Sequence, residues 1–364
     1  ALNIVYPVLN VVMALTFVFQ MGSNAVIGKK LGEGKAHEAC SFLSLTVLVN
    51  LAVMAIMMTL LLAFDKEIYL RIGSDETLLP LCVEYGRIMV LAGPIWSLQI
   101  LFQGFLVTAD RPHMGLWLSV AAGCVNIGLD LLFVIRFHMG VGVFDFGLAG
   151  AGYASMAGML VGGLVPLRVF FDKKSLLHFE KPVWKGRELL LAMGNGASEM
   201  VTNLSMAVTT FLFNAIMMAY LGEAGVSAIT IVLYAQFLLV SLYMGFSMGV
   251  APVFSFNRGA GRYDRMRRIF GYCLRFILVS SVAILVVALA LSGVVVGIFS
   301  TPGSQVYAIA LDGFRRFAPA FLFAGVNIFS SALFTALSDG LVSAVISFAR
   351  TFGFLLLALL LLPG

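Results

Sequence analysis

Ten apolar runs cover almost the whole chain: 4–27, 40–64, 85–107, 114–137, 147–171, 188–219, 225–254, 269–299, 307–337 and 341–363. Each is long enough to cross about 30 Å of hydrocarbon as a helix. Backbone amides in lipid must bond within the segment or around a closed barrel. The runs are continuous rather than alternating, which selects helices. Composition agrees: 61% of residues are hydrophobic and 11% charged, against about half and a quarter in soluble domains. A mean hydropathy of +1.02 excludes a soluble fold. The expected fold class is an all-α membrane protein, a polytopic helical bundle.

The chain also repeats itself. The first run ends in MGSNAVIGKKLGEGKAHEA, with Gly32, Gly34 and Glu38. A later one ends in MGFSMGVAPVFSFNRGAGRYDR, with Gly259, Gly261 and Asp264. One constant shift in sequence number carries Gly32 onto Gly259, Gly86 onto Gly313, Thr108 onto Thr335 and Ala109 onto Ala336. A repeat of mostly apolar helix points to a transporter built from two pseudo-symmetric halves. Under the same shift, 188–219 falls before residue 1 and 147–171 falls beyond residue 364. The reading is two six-helix lobes of a twelve-helix parent, with about ten helices present and the first and last lacking. Residues 1–171 form the N-terminal lobe, 172–187 a cytoplasmic linker and 188–364 the C-terminal lobe.

The net charge of +5 does not mark nucleic-acid binding, because of its distribution. Lys29, Lys30, Lys35, Arg111, Arg168, Lys173, Lys174, Lys181, Lys185, Arg187, Arg258, Arg262, Arg265, Arg267 and Arg268 lie in one set of alternate loops. The opposite set holds few cations. This bias places the basic loops in the cytoplasm. Cys40, Cys82, Cys124 and Cys273 lack CxxC spacing and read as small apolar filler. His37, His113, His138 and His178 make no metal spacing, so no metal site is expected. There is no phosphate-binding GxxxxGK loop and no GxSxG elbow, so neither an ATP-driven pump nor an enzyme is expected, and no cofactor. The acids are too sparse for the charged ring of a channel.

Several phrases now resemble one family. Asn126-Ile127-Gly128-Leu129-Asp130-Leu131-Leu132-Phe133 is similar to the N-x-x-x-D-x-x-F stretch of the multidrug and toxic compound extrusion (MATE) transporters. Gly150-Ala151-Gly152-Tyr153-Ala154-Ser155, Gly196-Ala197-Ser198-Glu199 with Phe213-Asn214, and the paired GxG helix ends resemble the same family. The resemblance implies secondary active export, with a cavity between two lobes rocking between the two sides and driven by inward H+ or Na+. It also implies a coupling-cation site on Asn126 and Asp130, with Ser155 where relatives carry Thr and Gln103 near a family amide position. A further family acid belongs to the first helix, which this reading lacks.

The polar residues inside spans carry their own argument. Asp130 lies deep in a span, where an ionisable group costs about 2.5–3.5 kcal/mol. Asn126, at i−4, shares its helical face. That face can hold a cation, or it can bond a neighbouring helix. Glu199 and Arg350 sit at similar depths on helices that the repeat makes neighbours, so Glu199 either pairs with Arg350 or meets a cationic substrate. Asn203, Asn214 and Gln236 are candidate substrate-cavity residues, or helix–helix glue. Pro94, Pro166, Pro252 and Pro319 are candidate kinks. Gly158-x-x-x-Gly162 and Gly245-x-x-x-Gly249 permit close packing, and Gly32 and Gly259 can end their helices in the left-handed conformation.

The function expected is a multidrug antiporter that exports organic, often cationic, compounds. It would be a multi-pass protein of a bacterial inner membrane, monomeric, with lipid and small molecules rather than nucleic acid as its partners. The alternatives are a flippase of lipid-linked saccharides and a non-transporting membrane receptor or scaffold.

Overall fold

The structure is a computed structural model and describes residues 2–133 and 147–353. The expected span ends 134–137 and 354–363, with Arg136 and His138, lie outside the described residues. The chain divides into two compact units, Ala1–Gly196 and Ala197–Gly364. Among the described residues there is no strand.

The first unit runs α1 (Leu2–Gly32), α2 (Ala36–Ala63), α3 (Asp65–Ile72), α4 (Leu79–Thr108), α5 (Pro112–Phe133), α6 (Gly147–Leu164) and α7 (Leu167–Phe171). It closes with the first turns of α8 (Gly186–Gly259). The second unit holds the rest of α8, then α9 (Tyr263–Ala290), α10 (Ser292–Phe299) and α11 (Gln305–Phe317). A 3-10 turn (Ala318–Ala320), α12 (Phe321–Ala336), α13 (Gly340–Phe348) and a π turn (Ala349–Gly353) follow. Among the described residues, eight helical segments are long and apolar enough to cross a membrane. Large apolar side chains face outward along them, among them Trp117, Leu238 and Val279. That surface is stable against lipid and not against water.

Local chemistry sets the breaks. The turn expected between runs 188–219 and 225–254 shrinks to Gly222, whose φ of 62° and ψ of −153° interrupt α8. Run 269–299 divides at Leu291, and run 307–337 divides at the 3-10 turn holding Pro319. Pro166 stands between α6 and α7. Pro94 and Pro252 are carried inside α4 and α8.

The repeated GxG phrase has the same geometry in both copies, and it corrects one expectation. Gly32 and Gly259 are the last helical residues, while Gly34 (φ 77°) and Gly261 (φ 67°) are left-handed. Gly34 N donates to Leu31 O at 3.1 Å and Lys35 N to Lys30 O at 2.9 Å. Gly261 N donates to Arg258 O at 3.1 Å and Arg262 N to Asn257 O at 2.9 Å. This is the Schellman pattern, in which a glycine past the helix end takes the positive φ.

In the first unit α4 packs against α1, α2 and α6, and α5 packs against α6. Phe19, Phe42, Phe102, Phe105 and Phe170 are fully buried there. Gly158 approaches the Ala122 carbonyl of α5, and Gly162 approaches Gln99 of α4, so this pair does permit close packing. Beside Gly245 and Gly249 no atom of another described element lies within 4 Å of an added Cβ. Gly22 and Gly196 bring the backbones of α1 and α8 together. A Cβ on Gly22 would overlap the Ala192 carbonyl, and one on Gly196 the Val18 carbonyl.

The segment between α7 and α8 is not a free tether. Ser41 Oγ donates to Lys181 O and accepts from Val183 N, both at 3.0 Å. Ser44 Oγ accepts from Glu180 N at 3.0 Å. Phe179 enters the aromatic cluster of Phe102, Phe170 and Phe171.

Candidate functional site

Helices α5 and α6 carry three of the four residues expected to bind the coupling ion, Asn126, Asp130 and Ser155, while Gln103 lies on α4. Asn126 Nδ2 donates to Ser155 Oγ at 3.3 Å. The approach is possible because Gly158, one turn after Ser155, leaves room: a Cβ there would stand 3.2 Å from Asn126 Cβ. Asp130 follows Asn126 by one turn and is half-buried. Its Oδ1 is shielded from solvent and makes no hydrogen bond among the described residues. Tyr85 of α4 lies within electrostatic reach of it. Gln103 sits further along the same helix as Tyr85, its Nε2 donating to Ser119 Oγ at 3.0 Å. Ser119 precedes Asn126 by two turns, about 10 Å along the axis. The amide therefore meets α5 but not the Asn126–Ser155 pair.

Amides that sequence reasoning does not single out lie deeper in this unit. Thr108 Oγ1 donates to Asn24 Oδ1 at 3.0 Å, and Asn50 Nδ2 to Ser97 Oγ at 2.7 Å. Ser23 and Thr46 share a 3.0 Å bond. Gly104 makes room for the side chains of Gln20 and Asn24. These groups join α1, α2 and α4 in the interior, as polar groups in lipid-embedded bundles do. The signal available in the sequence is an amide in mid-run.

In the second unit the polar residues form a hydroxyl ladder. Ser198 of α8 bonds Thr335 of α12 at 3.1 Å. Thr335 Oγ1 donates to Ser343 Oγ of α13 at 2.8 Å, and Ser331 bonds both Ser343 at 2.9 Å and Ser347 at 2.6 Å. All five are buried. Glu199 follows Ser198, and Arg350 follows Ser347 by one turn. The two charges attract each other. Arg350 lies in the π turn, a bulge found often at functional positions.

Of the expected cavity residues, Asn203 lies on α8 one turn after Glu199, but its side chain is outside the described residues. Asn214 is half-buried, with Oδ1 shielded and without a hydrogen bond among the described residues. It stands about 22 Å beyond Glu199 along the helix. Gln236 is half-buried on the far side of the Gly222 break. Helix geometry therefore spreads the four along α8.

Charges gather where α1 gives way to α2. Lys30 Nζ is 2.8 Å from both Glu38 Oε2 and Glu188 Oε1. Lys185 Nζ is 2.7 Å from Glu38 Oε2 and 3.9 Å from Glu188 Oε2. In the loop beside them, the hydrogen bond from Lys35 holds the Glu33 carboxyl below its ordinary range. At the opposite end of the helices, burial and the neighbouring Asp65 carboxylate push the Tyr69 phenol up to about 12.

Comparison with known proteins agrees with this architecture. The MatE family model matches residues 1–132 and 200–360. A protein of Shewanella oneidensis named FAD transporter is 23% identical over 287 residues, covering 77% of this chain and 61% of its own length. The multidrug export protein MepA of Staphylococcus aureus is 21% identical over 307 residues, covering 83% of this chain and 65% of its own. The chain thus spans less than two thirds of the length of these relatives. Among solved structures, an outward-facing multidrug resistance MATE transporter of the MOP superfamily superposes with a TM-score of 0.88 at 19% identity, over 96% of this chain and 77% of the other. A MOP superfamily transporter from Pyrococcus furiosus gives 0.89 at 19% identity, over 99% and 80%. The family match over most of its length places this multi-pass membrane chain in the MatE family of transporters.

Proposed function

We propose that the protein is a secondary antiporter that exports organic, often cationic, compounds by alternating access in exchange for inward H+ or Na+. It would work as a monomer in a bacterial inner membrane. The observation that carries this reading is the Asn126–Ser155 hydrogen bond with Asp130 one turn away. Asp130 supplies a carboxylate that can take a proton or balance Na+, and Asn126 and Ser155 supply neutral oxygens. Hard cations such as Na+ take oxygen ligands of this kind. The relatives named for multidrug export and FAD transport support small organic substrates. Glu199 serves the fold by facing Arg350, and Asn203, Asn214 and Gln236 remain candidates for substrate contact.

The test is flux of a fluorescent organic cation in proteoliposomes, with pH and Na+ gradients imposed separately. Asp130→Asn should reduce gradient-driven flux at least about tenfold with the fold retained, because a neutral amide is cheaper to bury than a charge. Wild-type flux in that variant, with unchanged ion dependence, moves the coupling site elsewhere. Movement of a lipid-linked saccharide without drug flux would favour the flippase, and no flux of either would favour a receptor or scaffold.

A further inference from the structure

Three metal-ligating side chains, Cys40, His178 and Glu180, meet where the α7–α8 segment docks on α2, and a fourth, His37, touches Glu180. His37 and Cys40 come from the first turns of α2, spaced i, i+3 and so on one helical face. His178 and Glu180 come from the docked segment. Cys40 Sγ is 3.8 Å from His178 Nδ1, and His178 Nε2 is 3.1 Å from Glu180 Oε1. Glu180 Oε2 is shielded from solvent and meets His37 Nδ1. One donor atom from each of Cys40, His178 and Glu180 lies within 4.8 Å of the other two. Zinc bonds of about 2.0–2.3 Å keep tetrahedral ligand atoms about 3.3–3.7 Å apart, so Cys40 Sγ, which approaches the ring from the Nδ1 side, would rotate toward Nε2 to close the set.

The imidazole of His178 carries the argument. Its Nδ1 lies 3.0 Å from the carbonyl oxygen of Ser175. A carbonyl only accepts, so the ring proton belongs on Nδ1. Nε2 is then a lone pair, and it faces a carboxylate oxygen. Two lone pairs at that distance require a cation, either a second proton or a metal ion. Cys40 is buried beside the ring, and His37 stands across the carboxylate. Thiolate, imidazole and carboxylate are the ligands that zinc accepts. An Nδ1–H bond to a backbone carbonyl is how metal-bound histidines are oriented. Thiolate and carboxylate together neutralise a divalent ion.

We propose that Cys40, His178 and Glu180, with His37 as fourth ligand, form a site for zinc or a similar borderline-soft divalent metal, which fastens the α7–α8 segment to α2. His37 and Cys40 open the second helix of the chain, whereas His178 and Glu180 follow the seventh, so no spacing motif announces the site.

The test uses the full chain in detergent, stripped with a chelator and titrated with Co2+. The expected result is one equivalent bound, with a thiolate-to-cobalt charge-transfer band and d–d bands of tetrahedral strength, displaced by Zn2+. Cys40→Ser should abolish the charge-transfer band. His37 is highly exposed, so His37→Ala should fold normally and weaken binding about tenfold or more. In parallel, Zn2+ should slow alkylation of Cys40, read by peptide mass, and leave the exposed Cys124 unaffected. Absent or octahedral cobalt bands, or Cys40 alkylation indifferent to Zn2+, would overturn the proposal and leave a proton rather than a metal between His178 and Glu180.

Discussion

Replacing Lys30 by Met should cost more stability than replacing Lys185, although both cations touch the same two carboxylates. At 2.8 Å and an effective dielectric near 20, each Lys30 contact is worth about 6 kcal/mol before desolvation is subtracted. The Lys30 side chain is 10% exposed and that of Lys185 38%. Exposed pairs contribute about 0.2–1 kcal/mol net, and removing one member of a buried pair costs about 3–5 kcal/mol. Lys30 falls between these limits. Its loss leaves Glu38 and Glu188 facing each other with Lys185 still at hand, so the expected cost is about 2 kcal/mol. Lys185→Met leaves Lys30 on both acids and should cost about 0.5–1 kcal/mol. Equilibrium unfolding in mixed detergent micelles would measure both variants and the Lys30/Glu188 double-mutant cycle. Raising salt from about 0.1 to about 1 M shortens the screening length from about 10 to about 3 Å. That change should shrink the Lys185 effect more than the Lys30 effect. Equal losses for the two lysines would refute the reasoning. So would a Lys30/Glu188 coupling no larger than the about 0.3 kcal/mol within which independent sites add.

Four further outcomes are expected. Gly22→Ala and Gly196→Ala should each lower stability by about 1–3 kcal/mol, since backbone rather than a movable side chain blocks the added methyl; unfolding midpoints equal to wild type would contradict this. Glu199→Gln should destabilise more than the double variant with Arg350→Met, because the single change leaves a half-buried cation without its counter-charge; the reverse order in the same assay would count against the pairing. Asn126→Ala should weaken gradient-driven flux less than Asp130→Asn and leave the unfolding midpoint near wild type, and a lowered midpoint would show the bond to Ser155 to be chiefly structural. A tyrosine of an unfolded chain ionises near pH 10, whereas Tyr69 does so at about 12. Its burial therefore favours the fold fully below about pH 10, and this contribution declines as pH rises toward about 12. Ultraviolet titration should show a late component reduced by one tyrosine in Tyr69→Phe, and an unchanged late component would exclude the assignment.

Hydropathy locates these helices well because it reports lipid contact directly. Run 40–64 corresponds to α2 at Ala36–Ala63, and run 85–107 to α4 at Leu79–Thr108. It places the start of α9 too late, since Arg265, Arg267 and Arg268 occupy the first turns of a helix that begins at Tyr263. Gly32 reads as the left-handed residue because it follows the end of the apolar run, whereas the hydrogen bonds run on to Gly34. Asn126 is legible because a polar amide inside an apolar run is costly, whereas Ser155 is reached only through the family resemblance of its helix. The hydroxyl ladder is not legible: Ser and Thr are tolerated anywhere in a helix, and tertiary packing alone aligns five of them. The Cys40–His178 contact is hidden by sequence distance and by a linker that composition marks as solvent-exposed loop.

That linker has a practical consequence. With Lys173, Lys174, Lys181 and Lys185, residues 172–185 look like a convenient place for a protease site, an affinity tag or a fluorescent domain. Yet Ser175 and Leu177 are buried, and Glu180, Lys181 and Val183 are tied to α2 by hydrogen bonds. Tolerance to insertion follows backbone satisfaction and burial rather than composition. An insertion at 176–183 would act as a core mutation. The exposed turn at Thr301–Gly303, with Gly303 at a φ of 91°, is the better point to open the chain.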